Sequence, residues 1–224
     1  MVLSAPGVGK SAFCLNWAAR SKVRALYLSA DTDSLTMSTQ LAALATGHPR
    51  ERVEARMQSE LHWRENYADA IRSEYPDLVM DYSPGISLNR AAEQCEALAE
   101  VWGEGPQLLV IDTASNVRRR SDDYGGWDEM WQSGAELAGY LKAVVVWAHH
   151  LNQGAAAGGN FRPNMNEGQF KPEKYAEVVM SLHRTGGRGV ELFVHKNRSG
   201  ISQVPFPLIA EHDRALVREK GAGE

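Results

Sequence analysis

The 224-residue sequence holds only two cysteines, Cys14 and Cys95, both in stretches of helical spacing with no ligand partners nearby. That leaves no basis for a disulfide scaffold and points to a reduced, cytoplasmic protein. No apolar run approaches the roughly 18 residues of a membrane span. No basic N-terminal stretch leads into an apolar core as in a secretory signal. A membrane partner is therefore not expected. Basic charge is not in surplus: Lys plus Arg number 24 against 28 Asp plus Glu, a net charge of −4. This argues against a general nucleic-acid coat but leaves room for a local basic surface. No internal repeat or second domain is evident. With 43% hydrophobic and 23% charged residues, the chain suffices for one well-buried domain. Residues 1–218 read as that domain, with the tail from Glu219 frayed.

What is present begins at once. Ser4-Ala5-Pro6-Gly7-Val8-Gly9-Lys10-Ser11 ends in the Gly-Lys-Ser of a phosphate-binding loop, between an apolar lead-in (Val2, Leu3) and a helix carrying Phe13, Leu15, Trp17 and Ala18. In such a loop, backbone N–H groups curl around a phosphate and the helix adds its positive N-terminal end. Ser4, Ala5, Pro6, Gly7, Val8, Gly9, Lys10, Ser11 and Ala12 are the candidate nucleotide-binding residues. Lys10 would reach the β- and γ-phosphates, and the Ser11 hydroxyl a Mg²⁺ ion. Ser4 stands where the pattern G-x-x-x-x-G-K-[ST] has Gly.

Further on, Ala25–Ser29 reads as a buried strand ending in Ser29-Ala30-Asp31-Thr32-Asp33. Met37, Leu41, Leu44 and Ala45 share a helical face stopped by Gly47 and Pro49. Residues 50–76 are charged, weakly patterned and expected to be helical. Leu78–Met80 reads as a strand, Ser83–Gly85 as a turn and Leu88–Trp102 as a helix ended by Gly103. Leu108–Ile111 is a continuous apolar run that suits a central parallel strand, and Asp112 closes it. Arg118-Arg119-Arg120 and a Gly-rich bend at Gly125-Gly126 precede a helix with Met130, Gly134, Leu137 and Leu141 on one face. Ala143–Ala148 is a strand that delivers His149-His150. Residues 152–172 form a long irregular segment of the kind that is usually functional or mobile. Val178–Leu182, Val190–Val194 and Val204–Leu208 read as late antiparallel strands, with Gly186-Gly187 as a hairpin turn.

In a parallel sheet the loop, the acids, Asp112 and the histidines all lie at the C-terminal edge, where ligands bind in open α/β folds. That constellation suits an NTPase: Lys10 and Ser11 for phosphate and metal, Asp112 for Mg²⁺ through water, and an acid to activate the attacking water.

Ala5–Ser11, Tyr27–Asp33, Leu109–Asp112, Ala148–Gln153, Tyr175–Arg184 and Lys196-Asn197-Arg198-Ser199-Gly200 together resemble the RecA-type motor ATPases, most closely the C-terminal motor domain of DnaB-like replicative helicases. The resemblance implies an α/β RecA-like P-loop fold, a mainly parallel central sheet flanked by helices, with late antiparallel strands. It implies ATP and Mg²⁺, a homo-oligomer such as a hexameric ring, single-stranded DNA and other replication proteins as partners, and a bacterial or phage-infected cell. It casts Lys196 and Arg198, placed on one strand face, as a finger reaching a neighbouring subunit's nucleotide. Asp31 matches the family's catalytic Glu, one methylene shorter, with Asp33 as rival. His150 matches its γ-phosphate-sensing Gln, as a His does in RepA-type and RadA-like relatives. The helicases' N-terminal primase-binding domain and linker helix have no counterpart.

Other readings of single features stay open. Asp31 or Asp33 suits a helix cap, Asp112 a turn, and Lys196 and Arg198 an edge strand that discourages aggregation. Arg118–Arg120 suits DNA phosphate or an exposed basic turn. Phe161, Arg162 and Lys171 suit a second DNA-binding loop or a loop that binds nothing. Adjacent His149 and His150 point apart, which disfavours zinc. A RadA- or KaiC-like regulatory ATPase, or a module that holds nucleotide without turning it over, are the alternatives to a motor.

Overall fold

The computed structural model describes residues 1–152 and 162–221. Among these, one sheet contains strands β1 (Val2–Ser4), β2 (Ala25–Ser29), β3 (Leu78–Asp81), β4 (Leu108–Asp112), β5 (Val144–His150), β6 (Val178–Gly186), β7 (Gly189–Asn197), β8 (Val204–Glu211) and β9 (Leu216–Glu219). Their order across the sheet is β3-β2-β4-β5-β1-β6-β7-β8-β9. Pairs from β3 through β6 are parallel and those from β6 to β9 antiparallel. The mainly parallel sheet with late antiparallel strands is as the sequence implies.

The helices are α1 (Lys10–Arg20), α2 (Ser34–Thr46), α3 (Arg50–Ser59), α4 (Leu61–Glu74), α5 (Leu88–Trp102) and α6 (Tyr124–Leu141). Strand alternation assigns the faces of β5. Trp147 and His149 contact Trp131 of α6, so Val146 and Ala148 point to the opposite side. Both faces are covered, which is why β4 and β5 read as unbroken apolar runs. The charged stretch after Pro49 is two helices. Val53, Met57 and Tyr67 pack with Ala42 and Ala43 into a small core of their own, too few apolar residues to show a clear period.

Three local expectations are corrected. Gly125 and Gly126 are not a bend but the first turn of α6, capped by Asp123 through Gly126 N–H at 2.9 Å. A Cβ on Gly126 would collide with the Ser121 carbonyl. The chain is not frayed at Glu219, which pairs with Leu208 in β9, and Lys220 N–H donates to Pro207 O at 3.0 Å; an edge strand so short carries little pattern. The irregular segment is closed at its base, with Leu151 bridged to Gly168 and Asn152 N–H donating to Glu167 O at 2.7 Å.

Gly134 of α6 faces the Trp147 ring so closely that a Cβ would overlap it, and that ring is pinned edge-on by Trp131 at 5.1 Å. Gly134→Ala is therefore expected to destabilise. Overpacking costs about 1–3 kcal/mol against a helix-propensity gain of about 1 kcal/mol. Thermal unfolding should show Tm falling by a few degrees, and Trp147→Leu should relieve part of the fall. A Tm raised by the alanine would contradict this packing.

Candidate functional site

Strand β1 is flanked on both sides, with Ser4 opposite His150 of β5 and Leu182 of β6. The loop leaves at its end and turns through Gly7 at φ +74° and Gly9 at φ +113°, conformations that favour glycine. Ser4 is still in extended strand, so the place where the motif has Gly requires none here. Gly9 caps α1 in the left-handed region and leads directly into Lys10. Ala5, Pro6, Gly7, Gly9, Lys10, Ser11 and Ala12 line a cleft of about 420 Å³ together with Asp31, His150, Arg184 and His212. That volume is in the range of small-ligand sites. Val8 is buried beneath the loop.

Asp112 is fully buried at the end of β4. Its Oδ2 accepts a hydrogen bond of 2.7 Å from the Tyr27 hydroxyl, and its Oδ1 has no partner among the described residues. The Tyr27 hydroxyl also lies 3.4 Å from the Ser11 carbonyl oxygen, so the strand-end acid and the loop meet around one phenol. An unpartnered buried carboxylate oxygen beside the loop's Ser fits a site for hydrated Mg²⁺. Among the described residues, no cluster of three or more His, Cys, Asp or Glu could hold a metal. A cation here would share its coordination with phosphate oxygens and water.

The two rival acids separate. Asp33 is the N-cap of α2, taking Thr36 N–H at 3.0 Å and the Thr36 hydroxyl at 2.7 Å. These bonds hold its carboxyl below the usual range. Asp31, exposed, lines the cleft. His150 is half-buried with Nδ1 unpartnered. Burial, then the Lys10 charge, lowers its pKa, while Asp31 and Asp112 oppose them. His149 points to the other face, where its Nε2 lies 2.8 Å from Gln169 O and its ring touches Trp127 and Trp131.

Other candidates lie elsewhere. β6 runs parallel to β1, so Val178 and its partner Asn197 sit at the sheet edge opposite the loop. There Lys196 Nζ donates to Glu173 O at 2.9 Å and Arg198 pairs with Glu177 at 2.6 Å. Arg198 also falls beyond β7, which ends at Asn197, so the two residues do not share a strand face; a turn follows where the sequence suggested continued strand. In the arginine triplet, Arg119 is turned inward, donating to Val117 O at 2.9 Å and lying 4.0 Å from the Trp127 ring centre, while Arg118 and Arg120 are exposed. Arg162 pairs with Glu191 at 2.6 Å and lies over Phe193. Lys171 is exposed, and Phe161 lies outside the described residues.

Sequence reasoning missed Arg184 and His212. Arg184 donates to the loop's Gly7 carbonyl oxygen at 2.6 Å. Its signal was available in the register, since Leu182 opposes Ser4 and two residues further along β6 brings a side chain to the loop edge. His212, in the turn between β8 and β9, had none.

No family model matches the chain. The gene 65 protein of Mycobacterium phage D29 is 30% identical over 211 residues, spanning 90% of this chain and 89% of that protein. The chain belongs to the family of the mycobacteriophage gene 65 proteins. A second relative, the gene 65 protein of Mycobacterium phage L5, is 28% identical over 213 residues, 90% of this chain and 77% of its own. Among solved structures, the isolated ATPase domain of a DnaB-like helicase superposes with a TM-score of 0.84 at 15% identity, covering 98% of this chain and 84% of that one. A DnaB-like replicative helicase, solved with attention to its interactions with primase, gives 0.81 at 16% identity, covering 96% of this chain and 55% of that one. This gene 65 family member thus has the RecA-like fold of DnaB-type helicase ATPase domains.

Burial lowers the His149 pKa to about 4, against the raising effect of its bond to Gln169. Between that value and the ordinary His value near 6.5, the unfolded chain binds a proton that the folded one does not. Stability should therefore fall as pH drops from about 6.5 toward 4. His150, His183 and His195 are shifted in the same direction, so the full slope exceeds one proton. Urea midpoints against pH should show His149→Gln flattening it by up to about 1.4 kcal/mol per pH unit. An unchanged slope would contradict a neutral, buried His149.

Proposed function

We propose that this chain is an ATP-hydrolysing RecA-fold motor that acts as an oligomer on single-stranded DNA, a DnaB-like helicase or a helicase-like replication ATPase. The observation that carries the reading is the convergence of Lys10, Ser11, Asp31, Asp112 and His150 around one cleft at the C-terminal edge of the sheet. Loop N–H groups and the start of α1 would bind phosphate, and Lys10 would hold the β- and γ-phosphate charge. Ser11 and, through water, Asp112 would hold Mg²⁺, which when bound neutralises charge on the terminal phosphates. Asp31 would take the proton of the attacking water, and His150 would donate a hydrogen bond to the γ-phosphate. Arg184 and His212 would border the nucleotide on the cleft's other side.

Lys196 and Arg198 cannot serve the same protomer's loop from the opposite sheet edge, which supports their acting on a neighbour's nucleotide. The fold shared with DnaB-type ATPase domains supports the oligomer and the DNA strand as partner. Arg118, Arg120 and Lys171 are the exposed cations on offer for DNA phosphate.

ATP turnover is the test, with and without single-stranded DNA. Lys10→Ala should abolish it, and Asp31→Asn should lower kcat about 10²–10⁴-fold. Arg198→Ala should be inactive alone but regain turnover when mixed with Lys10→Ala, because hybrid sites then pair an intact loop with an intact finger. Hydrolysis by a strict monomer, unchanged in Arg198→Ala, would sink the shared site. ATPase without DNA stimulation would favour a regulatory ATPase, and binding without phosphate release a nucleotide-holding module.

A further inference from the structure

We propose that Tyr27 is a positioning residue for the metal site: its hydroxyl ties down one oxygen of Asp112 so that the other alone faces the metal-bound water. The inference rests on the nucleotide-site reading above and goes beyond it, because Tyr27 touches neither phosphate nor metal there.

Tyr27 sits in the middle of β2 with no exposed surface. A strand-interior position buried on both faces calls for an apolar side chain, and a phenol placed there must find a partner for its hydroxyl. In the β2–β4 register, Tyr27 opposes Val110, so Asp112 is the next residue of β4 on the same face. The ring lies along the sheet toward the acid, and the hydroxyl reaches Oδ2 at 2.7 Å, a charge-assisted bond. The same hydroxyl is 3.4 Å from the carbonyl oxygen of Ser11. Strand end and loop are thus referenced to a single atom.

The consequence falls on Asp112. A carboxylate with two equivalent oxygens can rotate, chelate, or turn one oxygen to the nearest cation. Lys10, 6% exposed beside the cleft, is such a cation. With Oδ2 committed to Tyr27, rotation is blocked and only Oδ1, buried and unpartnered, remains for the metal's water shell. Burial first, then the Asp112 charge, raises the Tyr27 pKa well above its ordinary value, so the phenol stays a donor across the working pH range. This is the outer-shell role that orients ligands in metal sites, where loss of such a partner typically costs about 10–100-fold in metal affinity.

Tyr27→Phe removes the hydroxyl and keeps the ring. The readout is Mn²⁺ binding in the presence of ADP, followed by electron paramagnetic resonance, for wild type, Tyr27→Phe, Asp112→Asn and the double variant. ADP binding in EDTA and thermal unfolding are measured alongside. Tyr27→Phe should weaken Mn²⁺ binding about 10-fold or more with metal-free ADP affinity unchanged, and should add nothing in the Asp112→Asn background. Wild-type Mn²⁺ affinity in folded Tyr27→Phe, or an equal loss with Asp112 already changed, would overturn the proposal. Should Tyr27→Phe fail to fold, the double variant, which also removes the charge, should fold; failure of both overturns it too. A wild-type chain that binds Mn²⁺ and ADP but releases no phosphate from ATP would end the hydrolysis reading and leave the Tyr27 result standing. Hydrolysis by wild type with unaltered metal affinity in Tyr27→Phe would do the reverse.

Discussion

The hydrogen-bonded register of a three-residue strand governs this molecule. β1 is only Val2–Ser4, too short to be stable by itself, yet it is fully buried and paired on both sides. Parallel pairing to β5 sets Ser4 against His150, and parallel pairing to β6 sets it against Leu182. Because side chains alternate, a slip of one residue would send His150 to the α6 face and bring His149 to the loop. The identity of the residue that meets the phosphate cleft is thus a consequence of sheet register. The apolar neighbours on both faces hold that register.

Register also explains what could and could not be read in the sequence. Parallel strands were legible as continuous apolar runs, and the loop, Asp112 and the histidines fell at one edge because parallel strands end together. The phosphate loop's departure at Ser4 has a simple resolution, since only Gly7 and Gly9 occupy backbone regions that exclude most side chains. What linear reading could not deliver were relations across strands. Tyr27 and Asp112 are 85 residues apart, and Arg184 reaches Gly7 across 177; neither pair has a local signature. The rivalry of Asp31 and Asp33 had a local signature that pointed both ways. It is decided by Thr36, whose N–H and hydroxyl take Asp33 as a cap and leave Asp31 to the cleft. Weak patterning hid the α3–α4 pair because five buried residues suffice for its core.

The two faces of the sheet divide the labour at its central strands. The α1 face carries His150 and the buried Asp112 beside Lys10, a polar site embedded in apolar packing. The α6 face behind it is aromatic, with Trp127, Trp131 and Trp147 around His149 and Phe170 stacked on Trp127 at 4.5 Å. Burial there keeps His149 neutral, so no second titrating charge stands behind His150 at physiological pH. The adjacent histidines carry different duties for a reason of alternation alone: one ring packs, and the other faces the cleft.

The opposite sheet edge is where the shared-site proposal meets an energetic condition. Arg198 is already engaged by Glu177 and Lys196 by a backbone carbonyl of Glu173. To act on a neighbour's phosphate, Arg198 would have to give up that carboxylate. The pair is half-exposed or more on both sides, 52% and 65%, and such surface pairs contribute only about 0–1 kcal/mol. A guanidinium facing a phosphate in a closed, partly dry interface gains a shorter, charge-assisted and bidentate contact. The balance favours transfer once a second subunit brings its phosphate within reach, and favours the internal pair when none is there. Glu177 then works as a holding partner that keeps the finger ordered at the edge, at a stability cost small enough for assembly to reverse.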